Sequence, residues 1–307
     1  MSSLRVVFAG SPAAAVPSLR TLLASDHEVA AVVTREDSPQ GRRGVLTPTP
    51  VALAAGELRI IKANRLAGEA TDAVAALRPD LGVIVAYGGL VRQPLLSTPR
   101  LGWINLHFSL LPRWRGAAPV QRAIIAGDDF TGASVFQLVP ELDAGDLFAQ
   151  LTEPIGRHQT AGSLLGSLAE SGAELLLRVV DALADGTARA EPQVGEVTLA
   201  PKLMLADGKL DFTASAETIV SLVRGVTPEP GAYTTLGGTR LKVLDAVVAR
   251  DAPRVAAGHF AIADRRVVVG SSSDPIELVT VQPAGKKPMA AADWWRGRPA
   301  NAAVVAE

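Results

Sequence analysis

Cysteine is absent from the 307 residues of this chain. That excludes a disulfide framework, a thiolate nucleophile and the usual structural zinc sites, and it is compatible with the cytosol. The four histidines include no H-E-x-x-H pattern, so no zinc hydrolase and no bound metal is expected. No apolar run reaches the ~18 residues that a membrane span needs, and the run over 6–10 is too short for a signal-peptide core. A cytoplasmic protein without membrane contact is therefore expected. G-x-G-x-x-G is also missing, so the turn at Gly10-Ser11-Pro12 predicts no dinucleotide, although a helical pattern follows it. Charge of one sign is lacking as well. A net charge of −1 excludes bulk attraction to nucleic acid while leaving room for a local basic patch.

What is present suits two domains with sizeable cores, at 48% hydrophobic against 20% charged residues. Apolar runs over 5–9, 28–34, 81–86, 103–108 and 133–138 read as strands, and helical spacing fits 13–24, 68–77, 119–126 and 161–183. Such alternation predicts an α/β domain with a mostly parallel sheet and helices on both faces. The stretch after Asp185 is polar and rich in turn formers and reads as a linker. The expected boundaries are 1–187 for the first domain, 188–203 for the linker and 204–307 for the second domain. Beyond the linker, a helix over 215–224 precedes alternating runs at 233–236, 239–247, 259–263, 266–269 and 276–282, which predict a small β-barrel. Gly237-Gly238 marks a hairpin turn within it.

Chemistry concentrates in Trp103-Ile104-Asn105-Leu106-His107-Phe108. A strand's period of two puts Asn105 and His107 on one face beside Trp103, with Ile104, Leu106 and Phe108 on the other. An amide and an imidazole side by side, followed at once by a Ser-Leu-Leu-Pro turn, suit a site at a strand end better than a packing layer. Further on, Glu141-Leu142-Asp143-Ala144-Gly145-Asp146 offers carboxylates in a glycine-containing loop. Amide, imidazole and carboxylate are thus candidates to meet.

The chain from Asn105-Leu106-His107-Phe108-Ser109-Leu110-Leu111-Pro112 through Arg115-Gly116-Ala117-Ala118-Pro119 and Leu142-Asp143-Ala144-Gly145-Asp146 resembles the methionyl-tRNA formyltransferase family. The likeness includes Val85-Ala86-Tyr87-Gly88 and a C-terminal signature over 278–289, and it covers almost the whole chain. It implies a Rossmann-like N-terminal formyltransferase domain and an OB-like C-terminal β-barrel. It also implies transfer of a formyl group from the co-substrate 10-formyltetrahydrofolate to the α-amino group of methionine on initiator tRNA, for translation initiation, by a monomer that uses no metal. The superfamily's catalytic trio falls on Asn105, His107 and Asp143. The folate pocket is implied at Ser109, Leu110, Leu111 and Pro112, with the backbone around Val85–Leu90, Tyr87 and Gly88 in particular, and the loop over 141–145.

The proposed roles are chemically sensible. An amine attacking a formyl carbon builds an oxyanion, for which a positioned donor such as the Asn105 amide contributes on the order of 3 kcal/mol. His107 is expected to stabilise that charge as an imidazolium or to donate a proton, with Asp143 setting its state or accepting the amine's proton through a water. Asp146, Glu141, His158 and His259 are read as turn or surface residues.

For tRNA, the loop over 35–44 supplies Arg42 first and Arg43 second, although Gly44 and Val45 stand where relatives often carry lysines. Lys286 and Lys287 form the best-defined basic pair in the C-terminal part, where 13 Lys and Arg face 11 Asp and Glu from Pro201 onward, a net of +2. The preceding 200 residues are correspondingly net negative. Phe108 stands where many relatives have glycine and is expected to keep ordinary β geometry. Rival readings are a formyltransferase for a small amine such as glycinamide ribonucleotide or an amino sugar, a formyltetrahydrofolate hydrolase, and a non-catalytic RNA-binding protein.

Overall fold

The computed structural model describes residues 2–41, 44–298 and 304–307. In chain order the elements are β1 (Arg5–Gly10), α1 (Val16–Leu23), β2 (Glu28–Thr34), β3 (Ser38–Gln40), β4 (Val45–Thr47), α2 (Pro50–Ala54), β5 (Ile60–Lys62), α3 (Glu69–Ala75), β6 (Leu81–Val85) and β7 (Trp103–His107). Then come β8 (Arg115–Gly116), α4 (Pro119–Ala126), β9 (Phe130–Gln137), β10 (Leu147–Pro154), α5 (Ala161–Ala184) and β11 (Leu199–Ala200). The C-terminal part adds α6 (Ala216–Gly225), β12 (Ala232–Leu236), β13 (Thr239–Val248), β14 (Phe260–Ala263), β15 (Arg266–Val269), β16 (Ile276–Pro283), β17 (Met289–Ala290) and α7 (Ala291–Arg296). The chain divides into two compact units, one of residues 1–119, 130–154 and 165–200, the other of 120–129, 155–164 and 201–307.

In the first unit seven strands form one sheet in the order β10-β9-β7-β6-β1-β2-β5. The pairings from β7 to β5 are parallel, and β9 and β10 add antiparallel pairings. β6 is buried at every position, as a central parallel strand covered on both faces must be. Val7, Val33, Ile84, Leu95 and Trp103 share one core cluster. Leu106, on the other face, lies against Gly172 of α5. The helical pattern over 13–24 starts as a 3-10 turn, Ala13–Ala15, and becomes α-helix only at Val16. Pro17 accounts for this, because a residue without an N–H fits only a first helical turn. β10, α2 and β5 were not expected. β10 lies at the sheet edge and is only partly covered, so its sequence carries a weak apolar signal. The loop over 35–44 is in fact flanked by the antiparallel hairpin of β3 and β4, and the tRNA candidates Arg42 and Arg43 lie outside the described residues.

The stretch expected to be a linker is bound into the first unit. Leu147 and Glu191 exchange backbone hydrogen bonds, and β11 pairs in parallel with β8. Its polar residues, which read as solvated turn formers, instead satisfy backbone groups of neighbouring loops. Residues 120–129 and 155–164, expected in the first domain, belong to the second unit.

In the second unit six antiparallel strands run β12-β13-β16-β15-β14, with β17 on β16. Residues 304–307 bridge the two edges: Phe260 donates to the Val304 carbonyl and Glu307 donates to Thr235. The expected barrel is closed by this terminal segment. The interior holds Ile219 and Val223 of α6 with Leu241, Val243, Phe260, Val267, Ile276 and Val281. Gly237 and Gly238 both have positive φ, at 52° and 72°, as the expected two-residue hairpin turn requires.

Candidate active site

β7 carries the alternation expected of it. Trp103 faces the core and donates its indole N–H to the Leu95 carbonyl at 2.8 Å, while Asn105, two residues on, lines a cavity of about 360 Å³. Asn105 is half-buried, and its Oδ1 is enclosed without a hydrogen-bond partner. The amide's hydrogens sit on Nδ2, the atom of this side chain that can donate to a ligand in that cavity. Phe108 avoids positive φ, but it was expected to continue the strand with β geometry and is instead a bend, because β7 ends at His107.

His107 is 6% exposed and stands edge-on to Phe136, with ring centroids 6.5 Å apart. Its Nε2 lies 2.9 Å from the Trp114 carbonyl oxygen. A carbonyl only accepts, so Nε2 carries the hydrogen and Nδ1 is the nitrogen left for proton exchange. Nδ1 faces Asp143 Oδ2 at 3.9 Å. Burial is the dominant influence and lowers the imidazole pKa, with the Asp143 charge and the Trp114 hydrogen bond opposing it. His107 is therefore mainly neutral at pH 7, with a lone pair on Nδ1.

Asp143 sits on the loop joining β9 to β10, with its side chain 12% exposed. Gly116 N–H donates to its Oδ2 at 2.8 Å. Its backbone is in the left-handed region, φ 46°, which Asp tolerates better than most residues. The loop doubles back tightly: a Cβ at Gly145 would lie 1.7 Å from the Gln137 carbonyl oxygen, so only glycine fits there.

The cavity lies between the segment after β6, with Gly89, Leu90, Val91, Arg92 and Gln93, and the loop over 138–143. Among the expected folate positions, Gly89 and Leu90 of the 85–90 segment and the 141–143 loop line it. Ser109, Leu110, Leu111, Pro112, Tyr87 and Gly88 do not. Ser109 is fully buried and donates to the Arg113 carbonyl, and the Leu111 N–H donates to Ser134. Pro112 is buried and Leu110 partly so. Tyr87 is a core residue whose hydroxyl donates to Ala63, and the Gly88 carbonyl accepts from Arg35. These side chains are spent on packing the loop, which a motif read as a string cannot distinguish from lining a pocket. Glu141, read as a surface residue, lies at the cavity. Arg92 and Gln93 were missed because nothing periodic singles them out. Lys286 and Lys287 are exposed in the turn between β16 and β17. Among the described residues no group of acidic and histidine side chains is arranged to hold a metal ion, and no helix is long and apolar enough to cross a membrane.

Two family models match in tandem: formyl transferase over residues 4–180, and formyl transferase C-terminal domain over 202–299. A methionyl-tRNA formyltransferase of Leifsonia xyli subsp. xyli is 62% identical over 296 residues, covering 96% of this chain and 97% of that protein. One from Clavibacter sepedonicus is 59% identical over the same length and shares of the two chains. In architecture the chain is similar to an N-formyltransferase from Helicobacter canadensis solved with folinic acid and dTDP-3-aminofucose, at TM-score 0.69 and 16% identity over 91% of this chain and 99% of that one. HypX from Aquifex aeolicus, solved with tetrahydrofolic acid, gives TM-score 0.65 at 18% identity over 95% of this chain and 47% of that one. With both models matched in order and relatives this similar along almost their full length, the chain belongs to the methionyl-tRNA formyltransferase family.

Proposed function

We propose that this chain transfers the formyl group of 10-formyltetrahydrofolate to the α-amino group of methionine on initiator tRNA, and that Asn105, His107 and Asp143 perform the transfer. The observation that carries the residue assignment is a ligand-sized cavity lined by both Asn105 and Asp143, with His107 Nδ1 facing the Asp143 carboxylate. The formyl donor brings an electrophilic carbon, and the tRNA brings the amine.

The chain's part is orientation and proton handling. The Asn105 amide is a donor for the formyl oxygen as negative charge develops there. Neutral His107 takes the proton of the attacking amine at Nδ1, because Nε2 is committed to Trp114. Asp143, anchored by Gly116, then stabilises the imidazolium, which returns the proton to the departing folate nitrogen as the intermediate collapses and the C–N bond to the donor breaks. This reading makes His107 a base at the outset, where the sequence points to an imidazolium or a proton donor and to Asp143 as acceptor of the amine's proton. Arg42, Arg43, Lys286 and Lys287 are assigned to the tRNA backbone, and the active species is a monomer in the cytoplasm.

The test is incubation with 10-formyltetrahydrofolate and either charged initiator tRNA or free amines. Formyl-methionine on tRNA at sub-micromolar enzyme is expected. Transfer to small amines alone, or donor hydrolysis alone, would overturn the reading.

A further inference from the structure

Both halves of the His107–Asp143 pair rest on the same short piece of chain, the residues between Glu191 and Ala200. Gln193 spends its whole side-chain amide there. Its Nε2 donates to the carbonyls of Asp143 and Gly145, each at 2.8 Å, and its Oε1 accepts from Arg115 Nη2 at 2.6 Å and Nε at 3.1 Å. Thr198 serves the other half. Its Oγ1 accepts from the Trp114 N–H at 2.9 Å, and its carbonyl accepts from the Arg115 N–H at 2.9 Å.

The two residues held this way are strained and central. Trp114 and Asp143 are both non-glycine residues with left-handed backbone, φ 61° and 46°. Such conformations are unfavourable for residues that carry a Cβ and persist only where the surroundings over-determine them. Trp114 supplies the carbonyl that fixes the His107 tautomer, and Asp143 supplies the carboxylate that faces Nδ1.

We infer that Gln193 and Thr198 are positioning residues for the reaction, Gln193 setting the Asp143 loop and Thr198 setting the Trp114 carbonyl that directs the His107 proton. The kinetic part of this inference rests on the proposed transfer chemistry, whereas the tautomer of His107 is measurable without it.

The full-length chain tests the inference through Gln193→Met, which keeps the side chain's length but removes its hydrogen bonds, and through the pair Thr198→Val and Thr198→Ser. Imidazole 15N shifts of His107 should report the Nε2-protonated tautomer in the wild type and in Thr198→Ser, and a tautomer mixture in Thr198→Val. Gln193→Met and Thr198→Val should lower kcat by roughly 10- to 100-fold, as a misplacement of order 1 Å does, with donor affinity held within about 3-fold. The limb of the pH–rate profile assigned to His107 should move in both, and Thr198→Ser should restore it. A folded Thr198→Val with unchanged tautomer and pH profile would refute the inference. So would a kcat loss with no movement of the pH limb, which is the mark of a merely structural role. If the wild type fails to formylate Met-tRNA, the functional reading falls instead, and the 15N measurement still decides the positioning role.

Discussion

At the scale of single residues, the site reconciles an apolar strand with polar chemistry by putting each polar atom to a distinct use. His107 commits one nitrogen to a backbone carbonyl and leaves the other facing Asp143, while Asn105 lines the cavity. Asn105→Ala should reduce kcat by about 10² to 10³ while changing donor affinity little, as measured by single-turnover transfer alongside equilibrium binding. Buried His107 titrates below the ordinary imidazole value of about 6.5. Activity that needs its neutral form should therefore hold through neutral pH and fall on the acid side, below that value. The same shift has a stability consequence. Below about pH 6.5 the unfolded chain binds more protons at this residue than the folded one, so the contribution is fully present above that pH and is lost as pH falls toward the folded pKa. Thermal melts of the wild type and His107→Asn between about pH 7.5 and 5.5 should show a steeper acid loss in the wild type. Equal slopes would contradict the burial argument.

At the scale of elements, the loop that carries Asp143 depends on close backbone approach as much as on its carboxylate. Gly145→Ala places a methyl group against the Gln137 carbonyl oxygen, a clash that only backbone movement relieves. We expect a loss of about 1–3 kcal/mol in urea unfolding together with reduced kcat, since the displaced loop carries Asp143. In the second unit, α6 begins at Ser215, whose hydroxyl accepts the Thr218 N–H at 3.2 Å. Ser215→Ala should cost about 1 kcal/mol of stability and leave kcat untouched. These elements were unequally legible. Helix 119–126 was bracketed by proline and glycine, and β2 and β15 by their β-branched runs, so their expected bounds coincide with those found. β10 and α2 gave little periodic signal because they are short or half-exposed.

At the scale of the whole molecule, charge is divided along the chain, with the net of +2 falling after residue 200. Lys286 and Lys287 are exposed and therefore available to a polyanion. Their joint replacement by alanine should raise KM for Met-tRNA and flatten its log–log salt dependence by up to about two units, about one for each phosphate that is no longer neutralised. Donor binding should not change. An unaltered salt slope would remove this turn from the tRNA-binding surface.

The sequence by itself determined the mostly parallel sheet, the antiparallel second unit and the shared face of Asn105 and His107. Each follows from local periodicity or turn chemistry that a few neighbouring residues specify. Resemblance to the family supplied the third partner, Asp143. Only the tertiary structure decided that the Ser109–Pro112 turn packs inward rather than lining the cavity, and that Nε2 of His107 is committed to Trp114. It also showed that the polar stretch after Asp185 braces the site instead of merely joining two domains. Those facts depend on contacts between residues some 4 to 84 positions apart, and on which partner satisfies each buried polar group, a matter on which composition and spacing are silent.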